Sequence, residues 1–401
     1  MKELSKQIIG TWLLLFAISI PFTFNTIPHP GTWITNHLYP ITSWIGESIF
    51  GLELVSKATT SDASTLYIQA ILLLFIAGLI VVLVRLLGKF SNHQIFTFLH
   101  VSATYVLAFF LLKYGFDKLF HFQFYPPEPN TLFTPVGFLS KDILFWSTMG
   151  SSGTYNTFMG LIEVLPGILL LFKRTRLLGA FIGLGVLINV FALNIGFDIT
   201  VKLLSSFLVI LSLFVLIPWY RRLGSLFLQL PKSEIKSTEL EKSIVLKPLY
   251  KRAIKGAMLC LFSIELLLPY INAGNFSGPI YEDTPHHGSY EVLPNDLALL
   301  GDSTIRRIHI HSKGYFITES RTGEFKDYPI RNFVAGSSLV FTSEQLEIVV
   351  KYGSDHVFFC WDDENGQPKV LSTIKLDLNE LPLKDDTYHW TVDGLMQDTK
   401  D

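Results

Sequence analysis

Ile71-Leu72-Leu73-Leu74-Phe75-Ile76-Ala77-Gly78-Leu79-Ile80-Val81-Val82-Leu83-Val84 decides the class of this protein. No charged residue occurs between Ser64 and Val84, and Arg85 then ends the run. Such a stretch is long enough, as a helix of about 20 residues, to cross a hydrocarbon layer of roughly 30 Å. Working outward, the same reading applies at 7–25, 95–114, 154–172, 177–196, 200–219 and 252–271, which makes seven expected spans with 65–87. The first, behind Lys2 and Lys6, resembles a signal peptide. Its long apolar run and the lack of a small-residue cleavage site around Pro21 to Pro30 favour an uncleaved helix.

Composition agrees. Of the 401 residues, 49% are hydrophobic and 16% charged, and the mean hydropathy is +0.39. These values exclude disordered, fibrous and nucleic-acid-binding classes. The net charge of −2 hides an asymmetry. Residues 1–270 hold 21 Lys and Arg against 13 Asp and Glu, whereas residues 271–401 hold 11 against 21. With the N-terminus cytoplasmic, the inner loops carry 16 basic residues and the outer loops five, Lys57, Lys113, Lys118, Lys141 and Lys202. The positive-inside rule then expects a multi-pass membrane protein with its acidic C-terminal domain outside the cytoplasm. Cys260 and Cys360 form no CxxC pair, which argues against thiol–disulfide chemistry.

The expected organisation has four parts. Residues 1–94 give two helices and an outer amphipathic loop, in which Ile41, Trp44, Ile45, Ile49 and Leu52 mark a helix lying in the interface after Pro40. Residues 95–222 give a four-helix membrane core, interrupted by an aromatic loop at 115–153 with a surface helix near Phe138–Trp146. Residues 223–271 give a basic connector and the seventh helix. Residues 272–401 give a linker and then an antiparallel β-rich domain. Its strands are expected at Ile305–His311, Tyr315–Glu319, Leu346–Tyr352, His356–Trp361 and Lys369–Leu378, between turn signals such as Ser312-Lys313-Gly314. The fold class is an all-α membrane bundle of about seven helices with a small β domain.

Lys113-Tyr114-Gly115-Phe116-Asp117-Lys118, Gly160-Leu161-Ile162-Glu163-Val164-Leu165-Pro166-Gly167-Ile168-Leu169, Arg174-Thr175-Arg176 and Pro218-Trp219-Tyr220-Arg221-Arg222 resemble the DoxX-like family of integral membrane proteins. The match covers roughly 100–225. The whole chain resembles the long form of Bacteroidetes, with extra helices before the core and a soluble C-terminal domain. The family is named after a subunit of a thiosulfate:quinone oxidoreductase, so the resemblance implies a redox setting and a quinone-like lipid.

Among candidate residues, Glu163 stands in mid-span, where a carboxylate costs about 3 kcal/mol even on the lower insertion scales. With Asn189, Ser205 and Ser206 it is expected to form a polar layer that carries protons or holds a ligand head; the bland alternative is interhelical glue. Asp198 is expected to cap the sixth span and pair with Lys202, which in a sharper reading reaches Glu163. Lys113, Asp117 and Lys118 form a set at the outer end of the third span, read as solvated or snorkelling. His100 alone does not make a haem site. His309 and His311 share a strand face and are weak zinc candidates beside His286 and His287, with a solvated face as the alternative. There is no nucleotide motif and no serine-hydrolase motif.

Two functions follow. One is a redox-related membrane protein with a quinone-like lipid or small ligand at the Glu163 layer. The other is a non-catalytic membrane protein whose outer domain binds a partner or envelope component. A transporter is a weaker third, lacking broken helices or inverted repeats. Whether the chain is an enzyme stays open. Expected partners are the bilayer and a membrane subunit or envelope protein, not nucleic acid.

Overall fold

The computed structural model describes residues 3–20, 30–52, 62–227, 248–274, 276, 284–293, 305–334, 338–341, 347–362 and 366–384. In chain order the helices are α1 (Glu3–Ser19), α2 (Gly31–Phe50), α3 (Ser64–Leu86), α4 (Asn92–Leu119), α5 (Pro129–Phe133), α6 (Lys141–Gly150), α7 (Gly153–Leu171), α8 (Arg176–Gly196), α9 (Lys202–Leu216), α10 (Tyr220–Phe227) and α11 (Pro248–Ala273). The strands are β1 (Gly288–Val292), β2 (Ile305–His311), β3 (Tyr315–Ser320), β4 (Phe325–Val334), β5 (Ser338–Phe341), β6 (Glu347–Tyr352), β7 (Val357–Asp362) and β8 (Pro368–Lys375).

The chain divides into two compact units. Residues 1–123 and 156–278 form the first, and 124–155 with 279–401 the second. The expected four-part organisation differs from this division at residues 124–155, which were expected within the 95–222 part but group with the strands.

Among the described residues of the helical unit, six segments are long and apolar enough to cross a membrane: α3, α4, α7, α8, Lys202–Ser225 and Lys255–Asn272. Their outward faces carry exposed large apolar side chains, among them Phe75, Leu79 and Leu83 on α3 and Leu161 and Leu165 on α7. Faces this apolar suit lipid. α1 is 17 residues long and ends at Ser19. The last part of the expected first span, from residue 21, lies outside the described residues. α1 is nonetheless part of the core: Leu13 and Phe16 pack with Leu107, Leu170, Phe207 and Leu211 in one sealed cluster. α2 begins nine residues before Pro40 and exposes Trp33 and Trp44.

Local signals explain several boundaries. Ser91 and Gln94 form a reciprocal capping box at the start of α4. α4 and α7 approach to backbone contact at Gly115 and Gly160. A Cβ on Gly160 would stand 2.6 Å from the Leu119 nitrogen, and one on Gly115 2.8 Å from the Val164 nitrogen. Only glycines permit this separation, as at small-residue contacts in membrane bundles.

In the second unit the eight strands form a closed up-and-down antiparallel barrel, each strand pairing with the next and β1 with β8. Tyr290, Ile308, Ile310, Phe316, Phe359 and Leu371 fill its interior. Eight strands leave a lumen just wide enough for side chains, so this barrel is packed through its centre. The five expected strands are present with bounds within one residue, except that β8 ends at Lys375, three residues before the expected Leu378. The sequence reading missed β1, β4 and β5. β1 is short and lies in a stretch rich in Gly, Pro and Asn, and β4 contains Pro329 among charges, features that disfavour a strand.

Candidate functional site

α4 ends in a group of charged side chains that the fold buries. Lys113 and Asp117, one helical turn apart, pair at 2.7 Å. Tyr270 of α11 donates its hydroxyl to the same Asp117 carboxylate. In the last turn of α4, Lys118 donates to Glu163 of α7 at 2.8 Å, with the two side chains 5% and 3% exposed. The Lys118 ammonium also lies 5.7 Å from the Tyr114 ring centre. The Gly115–Gly160 contact, one turn away, brings the two helices close enough for this pair. α11 joins the arrangement through Leu266, which packs with Phe109, Leu112 and Val164. Glu265, its neighbour, is fully buried.

The expected polar layer does not assemble in this form. Asn189 is exposed, whereas Asn194 is the buried asparagine of α8; five residues on a helix turn the side chain by about 140°. Ser205 donates to Val201 and Lys202 carbonyls of its own helix, and Ser206 to Leu203. Asp198 does not cap α9. It adopts a left-handed conformation, φ 54°, in the turn after α8. The cap is Asp62, which accepts from the Lys202 and Leu203 amides at 2.8 and 2.9 Å. Asp198 does pair with Lys202, at 2.8 Å. Lys202 does not reach Glu163, whose partner is Lys118. In the set Lys113, Asp117 and Lys118 the two lysines are buried and Asp117 is half-buried, so it is not a solvated group. The sequence depth scale misled here, because it ended the third span at residue 114 while α4 runs to Leu119. Tyr270 and Asp62 gave no sequence signal. Glu265 gave the same signal as Glu163, a carboxylate within an apolar run. His100 is a structural histidine that donates to the Val215 carbonyl at 2.8 Å.

The second unit holds its own polar cluster. Residues 307, 309 and 311 of β2 point away from the barrel core, alternating with Ile308 and Ile310. α5 covers this face, with the Phe133 ring 5.7 Å from the His309 ring and 4.4 Å from the Arg307 guanidinium carbon. Beneath it, His309 Nδ1 lies 2.8 Å from the Ser289 hydroxyl and its Nε2 3.3 Å from Glu319. Arg307 donates to both Glu319 oxygens at 3.1 Å. The order of groups resembles a nucleophilic triad, but Ser289 and His309 are sealed and Arg307 claims the carboxylate, so the chain acts as a cross-strand strut. Burial holds the His309 imidazole below its ordinary range, against the pull of Glu319.

Glu128, ahead of α5, meets the other end of this face. It accepts from the Ser312 amide at 3.2 Å and from the Ser312 hydroxyl, lies 3.2 Å from His287 Nε2, and is 3.7 Å from His311 Nδ1. Burial raises its carboxyl pKa, but His287 and Ser312 outweigh that and hold it below the usual carboxylate range. His309 and His311 are thus engaged by different carboxylates. Among the described residues no group of three or more His, Cys, Asp or Glu side chains is arranged to hold a metal. The solvated-face alternative also fails, since His309 is fully buried.

A bundle of membrane-length helices with an ion-paired interior, carrying a separate packed barrel, defines an integral membrane protein. Over 126 residues the chain is 34% identical to "Uncharacterized protein YwoB" of Bacillus subtilis (strain 168), covering 31% of this chain and 79% of that protein. The chain belongs to the family of YwoB. No family model matches it, and no solved structure matches it.

Proposed function

We propose that this chain is a DoxX-like protein of the bacterial inner membrane, N-terminus cytoplasmic, whose paired charges at the end of α4 serve an ionisable function. They exchange protons or hold the polar head of a quinone-like lipid. The observation that carries the reading is the sealed Lys118–Glu163 pair beside Asp117, Lys113 and Tyr270. Ionisable groups inside membrane bundles are costly and mark functional sites by default. A buried pair also adds little stability over apolar side chains of the same volume. Its presence is therefore better accounted for by chemistry than by packing. Lys113 and Lys118, each with three N–H donors, can also donate to a carbonyl head group, while Asp117 and Glu163 supply acceptors.

The double variant Lys118→Met/Glu163→Leu removes the ionisable pair without stranding either charge. It is expected to be produced and folded in the membrane but to fail in complementing a deletion strain. Full complementation refutes the ionisable role. Mass spectrometry of lipids co-extracted with the wild type distinguishes the two forms of the proposal, since a stoichiometric quinone favours the ligand form.

A second reading, a non-catalytic protein whose outer domain binds an envelope component, is supported by a cavity in the barrel unit, lined by Glu128 and His311 among others.

A further inference from the structure

We propose that this cavity is a binding site for a neutral saccharide. The inference gives the second reading above a site and a ligand class, and rests on it.

The cavity has a volume of about 390 Å³, at the lower end of the range for small-molecule sites. It lies between the 124–150 segment and the outer face of β2–β4. Tyr125, Phe138, Trp146 and Phe325 supply aromatic surface. The polar lining is dominated by acceptors and hydroxyls. Asp327 is an exposed carboxylate on β4, and Ser147, Thr131 and Thr134 add hydroxyl groups. Asn130 also lines the cavity, and its Oδ1 atom is buried and has no hydrogen-bond partner. A buried acceptor left without a donor is costly, so a ligand that donates to it is favoured.

Three ligand classes compete. An anion such as phosphate needs cationic side chains, and among the described residues no lysine or arginine lines the cavity. An organic cation suits aromatic rings, but it needs free negative charge. Glu128 is already compensated by His287 and Ser312, and Asp327 alone remains at the rim. A sugar ring meets every element at once. Its C–H face stacks on the aromatic side chains, and its hydroxyls donate to Asn130 and Asp327 and accept from the Ser147 and Thr131 hydroxyls.

The test uses the full chain in detergent. Ligand-observed NMR is run with neutral gluco- and N-acetylchito-oligosaccharides, and with choline and inorganic phosphate as counter-probes. Saturable binding of at least one oligosaccharide is expected. Asp327→Ala should weaken it by about tenfold or more, the loss of a charge-assisted hydrogen bond, with the melting temperature unchanged. Asn130→Ala is the second variant and should weaken binding likewise. Binding of choline or phosphate in place of sugars, or no saturable binding of any oligosaccharide, overturns the proposal. Complementation by the same two variants separates this failure from failure of the second reading. If sugars do not bind but both variants lose complementation, the cavity takes another component. If both complement fully, the outer domain's binding role falls as well.

Discussion

Removing Glu163 alone should be far more damaging than removing Glu163 and Lys118 together. Their side chains are 3% and 5% exposed and 2.8 Å apart. Glu163→Leu leaves the Lys118 ammonium buried without this carboxylate, and Asp117 is already engaged by Lys113 and Tyr270. Breaking a buried pair from one side costs about 3–5 kcal/mol, whereas replacing both members by apolar side chains is neutral or stabilising by about 1–4 kcal/mol. For a unit of this size each kcal/mol moves the melting temperature by about 2–4 °C, so Glu163→Leu should lower it by roughly 6–20 °C. Lys118→Met should do the same from the other side, and Lys118→Met/Glu163→Leu should return to the wild-type value or above. The assay is thermal unfolding of the purified chain in detergent, with all four proteins measured in one series. A Glu163→Leu melt within about 2 °C of wild type, or a double variant worse than either single one, would refute the burial argument.

Asp62→Ala removes the carboxylate that accepts two α9 amides and should cost about 0.5–2 kcal/mol, read as a lowered melting temperature. The barrel unit should lose stability on acidification. His309 and His311 sit below their ordinary 6.5 through burial, so the unfolded chain binds protons first and stability falls as pH drops below about 6.5. Glu128 and Glu319, held below the ordinary carboxylate value by hydrogen bonds that outweigh burial, extend the loss below about pH 4.5. Circular dichroism melts of the β signal across this range check both steps, and a β melt independent of pH would contradict them. A reporter active only outside the cytoplasm should be active after Asp401 and silent within 232–247; the reverse pattern would invert the proposed orientation.

The membrane spans were readable because apolar length is a one-dimensional property, and α3, α7 and α8 follow it closely. The barrel strands with clean alternation, such as Ile305–His311, were readable for the same reason. Closure was not, because β1 and β4 carry weak local signals and owe their conformation to neighbours on both sides. Glu163 was identified by its cost in lipid, but its partner was not. Pairing depends on the rotation and relative shift of two helices, which Gly115 and Gly160 set by close approach. The His309 face shows the same limit. Strand spacing placed 309 and 311 on one side, but the cover comes from α5, a distant stretch with no periodic link to β2.

The discontinuous make-up of the barrel unit has a consequence for biosynthesis. During translation the 124–155 segment leaves the ribosome long before β1 is made, so Glu128 and Phe133 emerge without the strand face they will cover. Maturation of this unit is therefore post-insertional: it waits until the far end of the polypeptide has been synthesised, with membrane helices threaded in the interval. A gene cut after α11 would yield a helical unit bearing an unfilled clasp, and a separately expressed barrel would carry the buried Ser289–His309–Glu319 strut open to water. Co-expression of the two fragments, with recovery of one complex, would reveal the clasp at work.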